Sequence, residues 1–178
     1  MLLVGINPGI RSATLGHHFA GYSNRFWKLL YESGVVSEPL TFEDDVRLPE
    51  WGLGITNLIA RATPGVSTLR PPEYISGLRI LRRKIRRVRP AIVAFIGVSL
   101  YRSMAGIKGP VTLGPQKELF EGARVVVLPN PSGRNAHFSY REMLAAFRRL
   151  KREQSNRGQG ATGMQRVSQA RRIRLTSD

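Results

Sequence analysis

Two short Asn-Pro turns, far apart in the chain, constrain the fold more than any other feature of the sequence. The first spans residues 5–9 (Gly-Ile-Asn-Pro-Gly) and follows an apolar run at 1–4; the second begins at Asn130 and follows a β-branched run at 125–128. Such runs are typical of buried strands, and such turns mark a strand that enters a loop. In an open α/β sheet, ligands bind at the edge where the strands end. We therefore expect Asn7 and Asn130 at one such edge, in a site that works by hydrogen bonding rather than by a charged nucleophile.

Between these turns, strand patterns alternate with helical ones. Alternation of this kind, with central strands that are apolar throughout, predicts the α/β class: a mostly parallel sheet with helices on both faces. The stretch from Ile10 to Ser23 is expected to be a glycine-bearing loop. The other predicted elements are a helix over 24–33 capped by Ser23, a helical turn from Thr41 that ends before Pro49, strands at 53–58 and 91–96, helices at 73–88 and 99–105, a hairpin of 117–120 with 124–128, and a last helix from Ser139 to about Glu153.

Length and composition exclude several classes of protein. A chain of 178 residues is enough for one domain; we assign it to residues 1–153 and expect 154–178 to be a basic, disordered tail. The chain contains no Cys, which excludes disulfides, thiolate nucleophiles and cysteine-bound iron–sulfur clusters. No stretch approaches the roughly 20 apolar residues that span a bilayer, and no secretory signal is visible. The sequence predicts a cytoplasmic protein with no membrane partner.

The charge of the chain indicates a polyanionic partner. Lys and Arg number 28 against 12 acidic residues, which gives a net charge of +16. A basic protein without any nucleic-acid partner remains the alternative on charge alone. The basic residues between Arg79 and Arg89 form either a solvated helix face or a DNA contact. Weak phosphate contacts are expected from four tail residues: Arg166, Arg171, Arg172 and Arg174.

Several further segments carry a resemblance to a known family. They are 16–19 (Gly-His-His-Phe), 24–27 (Asn-Arg-Phe-Trp), 54–57 (Gly-Ile-Thr-Asn) and 61–65 (Arg-Ala-Thr-Pro-Gly). Together with the two Asn-Pro turns, they resemble the mismatch-specific uracil and thymine DNA glycosylases, the second family of the uracil-DNA glycosylase superfamily, over roughly the first 150 residues. The resemblance implies a three-layer α/β/α sandwich. It also implies an enzyme that hydrolyses the N-glycosidic bond of a base in DNA.

The resemblance assigns roles to the first turn and to the loop after it. Asn7 would position the attacking water, and Phe19 would stack on the extruded base. His18 would bond a base oxygen through its ring or its backbone N–H, while Asn57 would bind the base edge and Ser12 would lie near the 5-substituent. A tight turn at Asn7, and ordinary core packing at Phe19, are the structural alternatives. The implied pocket residues are Ile6, Ser12, His18, Phe19 and Asn57.

The second turn would serve the extrusion of the base. Arg134 falls at the position of the family's wedge, which fills the space left in the base stack and bonds the orphaned guanine. Asn130 would hold this loop or contact DNA. An exposed loop with a solvated Arg is the alternative. The implied residues are Asn130, Ser132, Gly133, Arg134 and Asn135.

The resemblance as a whole implies a monofunctional glycosylase of base excision repair. Its substrate would be uracil opposite guanine, with thymine and damaged pyrimidines as further candidates, in double-stranded DNA that a monomer binds. The alternatives are a non-catalytic basic nucleic-acid-binding protein on the same fold, and a glycosylase that prefers another deaminated base such as hypoxanthine. His17 and His18 are adjacent and lack a chelating spacing, so we expect no metal and no cofactor. Neither turn contains a Lys, so no Schiff-base lyase activity is expected.

Overall fold

The fold is organised around one five-stranded β-sheet. The computed structural model describes residues 1–156. The strands lie in the order β2-β1-β3-β5-β4 across the sheet. β1 pairs in parallel with β2 and β3, β3 pairs in parallel with β5, and β4 runs antiparallel to β5, so four strands end at the same edge. They are β1 (Leu2–Gly5), β2 (Gly54–Asn57), β3 (Ile92–Ile96), β4 (Gly114–Phe120) and β5 (Ala123–Leu128).

Helices cover both faces of this sheet. Successive residues of β3 alternate between two apolar clusters: Ala94 packs with Phe26 and Phe147, and Phe95 packs with Leu81 on the opposite face. A strand that is buried on both sides needs this alternation. The predicted α/β class and three-layer architecture are confirmed. The helices are α1 (Ile10–Leu15), α2 (Phe26–Glu32), α3 (Pro71–Val88), α4 (Val98–Ala105) and α5 (residues 140–156).

Within residues 1–156, none of these helices is long and apolar enough to cross a bilayer. The predicted hairpin is present, and its two-residue turn at Glu121 and Gly122 has positive φ at both positions, as a type I′ turn requires. Strand β4 begins at Gly114 and not at Lys117 as predicted, and its register with β5 is irregular between Pro115 and Leu119. Because the pairing is irregular, the first residues of β4 do not show the alternation of side chains by which a strand is recognised in a sequence.

Three predictions about the first half of the chain were wrong in detail. The stretch after Gly9 is not a continuous loop, because it contains α1. Helix α2 begins at Phe26, so its N-cap is Arg25 and not Ser23, and Asn24 Oδ1 accepts the Phe26 N–H at 3.0 Å just before the helix. The helical turn that starts after Thr41 does not end before Pro49, because Pro49 lies inside a 3-10 helix at Phe42–Trp51.

The last helix extends further than the sequence predicts. It continues through residue 156, and the Gln154 side chain donates from Nε2 to the Trp51 carbonyl oxygen at 3.1 Å. This contact fastens the end of α5 to the 3-10 helix. The remainder of the predicted tail, including Arg166, Arg171, Arg172 and Arg174, lies outside the described residues, so its disorder and its phosphate contacts stay predictions.

Helix α3 approaches the end of β2 closely at one glycine. A Cβ added to Gly77 would lie 2.4 Å from the carbonyl oxygen of Leu58, which is backbone and cannot rotate away. Leu58 in turn donates its N–H to the Gly5 carbonyl oxygen at 2.8 Å, beside the first Asn-Pro turn. The absence of a side chain at Gly77 therefore sets the distance between α3 and the site edge of the sheet.

We expect Gly77→Ala to destabilise the protein although Ala favours a helix. The gain in helix propensity is at most about 1 kcal/mol, whereas overpacking against backbone costs about 1–3 kcal/mol. The free energy of unfolding in urea measures the difference. Gly109→Ala is the matched control, because a Cβ there meets nothing within 4 Å. Equal stability of the two variants would contradict the close packing.

Candidate active site

The candidate active site lies at the edge where the four parallel strands end. An open cavity of about 1260 Å³ occurs there. Asn7 and Asn130 follow the ends of β1 and β5, Asn57 is the last residue of β2, and all three line the cavity. Parallel pairing thus brings together residues that are far apart in sequence. The predicted site residues that line the cavity are Ile6, Asn7, Ser12, His18, Phe19, Asn57, Asn130, Ser132, Arg134 and Asn135.

The side-chain amide of Asn7 is held in one orientation. Its Nδ2 donates to the carbonyl oxygens of Pro8 (3.1 Å) and Arg61 (3.1 Å) and to Thr63 Oγ1 (2.8 Å). Carbonyl oxygens only accept, and the Thr63 hydroxyl gives its own proton to the Gly65 carbonyl oxygen at 2.8 Å. A rotated amide would place an oxygen against three acceptors. Asn7 Oδ1 has no hydrogen-bond partner within residues 1–156, so it is available to accept a hydrogen bond from water.

Thr63 is a site residue to which the sequence assigns no role. It is 2% exposed, and its N–H donates to the Pro8 carbonyl oxygen at 3.2 Å. A parallel bridge to Gly9 joins the two segments at the same point. Thr63 therefore holds both the backbone and the side chain of the first Asn-Pro turn. Its place in the segment 61–65, which carries the family resemblance, was the available signal.

Phe19 presents one face of its ring to the cavity. The other face stacks on Phe26, with ring centroids 4.1 Å apart and an interplanar angle of 19°. The φ angle of Phe19 is +53°, a left-handed conformation that a bulky residue adopts only where its surroundings enforce it. One restraint is the next N–H, that of Ala20, which donates to Ser12 Oγ at 3.0 Å. The Phe19 N–H has no partner in the described part of the chain and is available to a base oxygen.

A buried carboxylate holds the two adjacent histidines. Asp45, which is 9% exposed, accepts His17 Nδ1 at 3.1 Å, and its other oxygen accepts the His18 N–H at 2.9 Å and His18 Nδ1 at 3.1 Å. Burial raises the pKa of the Asp45 carboxyl, but the hydrogen bonds from the His18 N–H and the two rings outweigh it, and the pKa lies below its ordinary value. An ionised carboxylate only accepts, so both rings carry a proton on Nδ1.

The arrangement of Asp45 with His17 and His18, which we call the clamp, corrects the expectation for His18. Its backbone N–H is engaged by Asp45 and cannot bond a base oxygen, so the neighbouring Phe19 N–H is the backbone donor that remains. The ring of His18 lines the cavity, and in the neutral form its Nε2 accepts a hydrogen bond from water or from an N–H of a base. The signal for Asp45 was weak because it lies 27 residues further along the chain, in the 3-10 helix.

The clamp predicts a pH-dependent contribution to stability. A carboxyl with a depressed pKa in the folded state stabilises the fold above its unfolded pKa, and this contribution is lost as the pH falls through the folded pKa. We expect Asp45→Asn to lower the free energy of unfolding by about 1–3 kcal/mol at pH 7, because an amide N–H₂ would face donors. The deficit should shrink as the pH falls below about 3.8.

Urea unfolding of both proteins between pH 3 and pH 7 measures this deficit. Glu43→Gln is the matched control, since Glu43 makes the same change of charge at an exposed position two residues away. A deficit that is equal for the two variants, or that does not change with pH, would contradict the clamp.

A glycine at the end of β1 allows two side chains of the cavity to lie close to the strand. A Cβ added to Gly5 would lie 2.6 Å from Asn57 Oδ1 and 3.2 Å from Phe19 Cζ. Gly5 and Asn57 are paired directly across β1 and β2. Two of the predicted pocket residues thus meet above a residue without a side chain. Ser12 is buried with its hydroxyl engaged by the loop, and Ile6 belongs to the apolar cluster beneath the cavity.

The second Asn-Pro turn is held by its own amides. Asn130 Oδ1 accepts the Ser132 N–H at 3.0 Å, and the Asn130 carbonyl oxygen accepts Asn135 Nδ2 at 2.8 Å. Asn135 Oδ1 accepts the His137 N–H at 3.1 Å. Asn130 and Asn135 are therefore engaged in shaping the loop that carries Arg134. A contact of Asn130 with DNA stays a prediction.

Arg134 closes one side of the cavity. Its guanidinium donates from Nη1 to the Pro64 carbonyl oxygen at 3.0 Å, which joins the second turn to the segment that holds Asn7. Gly133 does not line the cavity. A Cβ there would lie 2.5 Å from Ser23 Cβ and Oγ, and the Arg25 N–H donates to the Pro131 carbonyl oxygen at 3.0 Å nearby. The turn is thus packed against the loop that follows Phe19.

The lining of the cavity is basic. Arg11, Arg102 and Arg134 contribute to it, and within residues 1–156 no Asp, Glu or Lys does. The basic residues of α3 do not line it, and two of them, Arg82 and Arg86, form ion pairs with Glu121. A cavity with guanidinium groups and without carboxylates is suited to an anionic ligand.

Comparisons with known proteins agree with this geometry. The sequence model of the Uracil DNA glycosylase superfamily matches residues 1–151. A curated relative from Schizosaccharomyces pombe, named G/U mismatch-specific uracil DNA glycosylase, is 43% identical, and the match covers 78% of this chain and 45% of the relative. The chain thus spans less than half the length of that relative. On the extent of these matches, the chain belongs to the uracil DNA glycosylase superfamily.

Proposed function

We propose that this protein is a monofunctional DNA glycosylase that hydrolyses the N-glycosidic bond of uracil mispaired with guanine. The observation that carries the proposal is the fixed amide of Asn7, whose Oδ1 has no hydrogen-bond partner within residues 1–156, in a basic cavity that Phe19 also lines. The membership of the superfamily and the printed name of the S. pombe relative support the choice of base and partner. Thymine and damaged pyrimidines remain candidate substrates.

The residues of the cavity favour a reaction in which the bond to the base breaks before water attacks. Glycosidases that act on sugars generally use a pair of carboxylates, one of them to activate water. No carboxylate lines this cavity within residues 1–156, and an amide orients water without deprotonating it. The departing base carries negative charge, and a hydrogen bond from the Phe19 N–H would stabilise it. Asn7 then holds the water that captures the sugar, and an abasic site remains.

The second turn supports a role in base extrusion. A base inside a duplex must rotate out of the stack, at a cost of a few kcal/mol that is smallest for a mispair. Arg134 lies at the rim of the cavity on a loop held by two Asn side chains. Its guanidinium is large enough to fill the vacated position and donates several hydrogen bonds to the orphaned guanine. This arrangement favours mispairs that contain guanine.

Labelled duplexes that contain G·U, A·U, G·T and G·hypoxanthine test the proposal. After incubation with the protein, alkali cleaves the strand wherever a base has been released. We expect the fastest cleavage on G·U. Faster cleavage on G·hypoxanthine would support the alternative deaminated base, and binding to every duplex without cleavage would support a non-catalytic binding protein. Either result would overturn the proposal.

The state of the protein in solution follows as part of the same proposal. The residues to which the proposal gives roles, among them Asn7, Phe19 and Arg134, line one cavity of one chain, so the proposed mechanism needs no residue from a second copy. Sedimentation of the free protein and of its complex with one G·U duplex measures the stoichiometry. The cytoplasmic location expected from the sequence stays a prediction.

A further inference from the structure

The mouth of the cavity carries an aromatic side chain that the mechanism above does not use. Tyr22 is 89% exposed, the largest exposed fraction among the large apolar and aromatic side chains of residues 1–156. It nevertheless lines the same cavity as Asn7 and Phe19. An exposed aromatic ring at the rim of a ligand site indicates a contact with the ligand more often than a contribution to folding.

The ring of Tyr22 is fixed in place. The guanidinium carbon of Arg11 lies 3.8 Å from the ring centroid, and Arg11 Nη1 donates to the Tyr22 hydroxyl at 2.6 Å. Arg11 is itself held, because its Nε donates to the Ala20 carbonyl oxygen at 2.8 Å and its guanidinium carbon lies 5.7 Å from the Phe42 ring centroid. The result is a layered stack of Phe42, Arg11 and Tyr22, and its outermost member has one face covered by Arg11.

The uncovered face of Tyr22 has the chemistry of a platform for a nucleobase. Aromatic rings beside guanidinium groups are the usual means of binding single-stranded nucleic acids, since every base has a face that stacks. The ring is pre-organised, so little side-chain entropy is lost when a base stacks on it. Arg11 and Arg102 add positive charge within the same cavity for the phosphates of the strand.

We propose that Tyr22 stacks on the base next to the extruded uracil when the substrate is single-stranded DNA. This inference rests on the proposed function, because the uracil must occupy the cavity. In a duplex the neighbouring base stays stacked and paired within the helix, so Tyr22 gains little from it. In a single strand the neighbour is free, and no complementary strand exists for Arg134 to contact. Tyr22 and Arg134, which both line the cavity, therefore serve different substrates.

A binding assay tests the contact without relying on excision. The probe is a single-stranded oligonucleotide with 2-aminopurine beside a 2′-fluoro-2′-deoxyuridine, a nucleotide whose glycosidic bond resists hydrolysis; two versions place 2-aminopurine on the 5′ or the 3′ side. We expect quenching of its fluorescence by the wild type in one version. Tyr22→Ala should abolish the quenching and weaken binding about tenfold, whereas Tyr22→Phe should retain both. Tyr31→Ala, which removes a 44% exposed Tyr outside the cavity, is the matched control.

Excision rates then separate this inference from the proposed function. At low protein concentration, Tyr22→Ala should lower the rate of excision from single-stranded uracil about tenfold more than the rate of excision from G·U. The protein concentration that gives half of the maximal rate should rise, and the maximal rate itself should stay the same. Equal losses on both substrates, absence of quenching by the wild type, or quenching by Tyr22→Ala would each overturn the inference. Quenching without any excision from G·U by the wild type would instead overturn the proposed function and leave the stacking contact standing.

Discussion

An Asn7→Ala variant is expected to excise uracil from a G·U duplex about 10²-fold more slowly than the wild type, or more slowly still, while it binds that duplex nearly as tightly. The reason lies in the fixed amide: three acceptors hold Nδ2, so Oδ1 is pre-organised to orient water. Orientation of water stabilises the transition state and adds little to the binding of the intact substrate. The variant is therefore expected to lose excision rate and to keep its affinity for the duplex.

Single-turnover excision and gel-shift affinity on one G·U duplex measure the two quantities. A second variant, Thr63→Val, keeps the buried volume similar but removes one of the acceptors that hold Asn7. We expect it to lose about tenfold in rate, less than Asn7→Ala, because two carbonyl acceptors remain. Unchanged excision by Asn7→Ala would remove this residue from the mechanism, and a Thr63→Val loss as large as that of Asn7→Ala would indicate collapse of the turn.

The second large effect is expected from Arg134→Ala, and it depends on the substrate. On G·U the variant loses a charge-assisted hydrogen bond and a stacking contact, about 2–4 kcal/mol together, which corresponds to roughly 30-fold to 10³-fold in excision. Excision from single-stranded uracil should change little, because a single strand has neither a vacated stack nor an orphaned guanine. The bond from Arg134 to the Pro64 carbonyl oxygen must break before the side chain enters DNA, and its loss offsets part of the gain.

Excision from G·U, A·U and single-stranded uracil at two salt concentrations distinguishes a wedge from a general positive charge. Arg134→Lys is the matched control, since Lys keeps the charge but not the planar fork of donors. If Arg134 acts only through its charge, Arg134→Lys restores excision, and the losses of Arg134→Ala are equal on all substrates and fade at high salt. That pattern would refute the wedge.

The sequence was sufficient for those parts of the site that lie at strand ends. The α/β fold was predicted correctly, because apolar runs fix the strands and the Asn-Pro turns mark where they end. The superfamily was predicted correctly from the resemblance that the two turns and four further segments carry. Because parallel strands end at the same edge of a sheet, Asn7 and Asn130 were expected to line one cavity there. Features of this kind can be predicted from a short stretch of sequence, because they do not depend on contacts with distant residues.

The sequence was insufficient where a side chain acts through a contact that only the folded chain creates. Asp45 reaches His17 and His18 from a 3-10 helix, and Thr63 reaches Asn7 across 56 positions. Neither pairing has a spacing that a pattern could reveal. The use of the His18 N–H by Asp45 was missed for the same reason. The clamp also accounts for the two adjacent histidines, because each ring donates a proton to one shared carboxylate.

The close contact of Gly133 with Ser23 limits how this protein could be redesigned. Position 134 is open to exchange at the cost of one side-chain hydrogen bond, from Arg134 Nη1 to the Pro64 carbonyl oxygen, so a library of residues can be built there. Position 133 is not, because any side chain would displace Ser23 and with it the loop that follows the strained Phe19. Directed evolution of partner-base preference should therefore accumulate changes at 134, and a change at 133 should survive only in combination with one at 23.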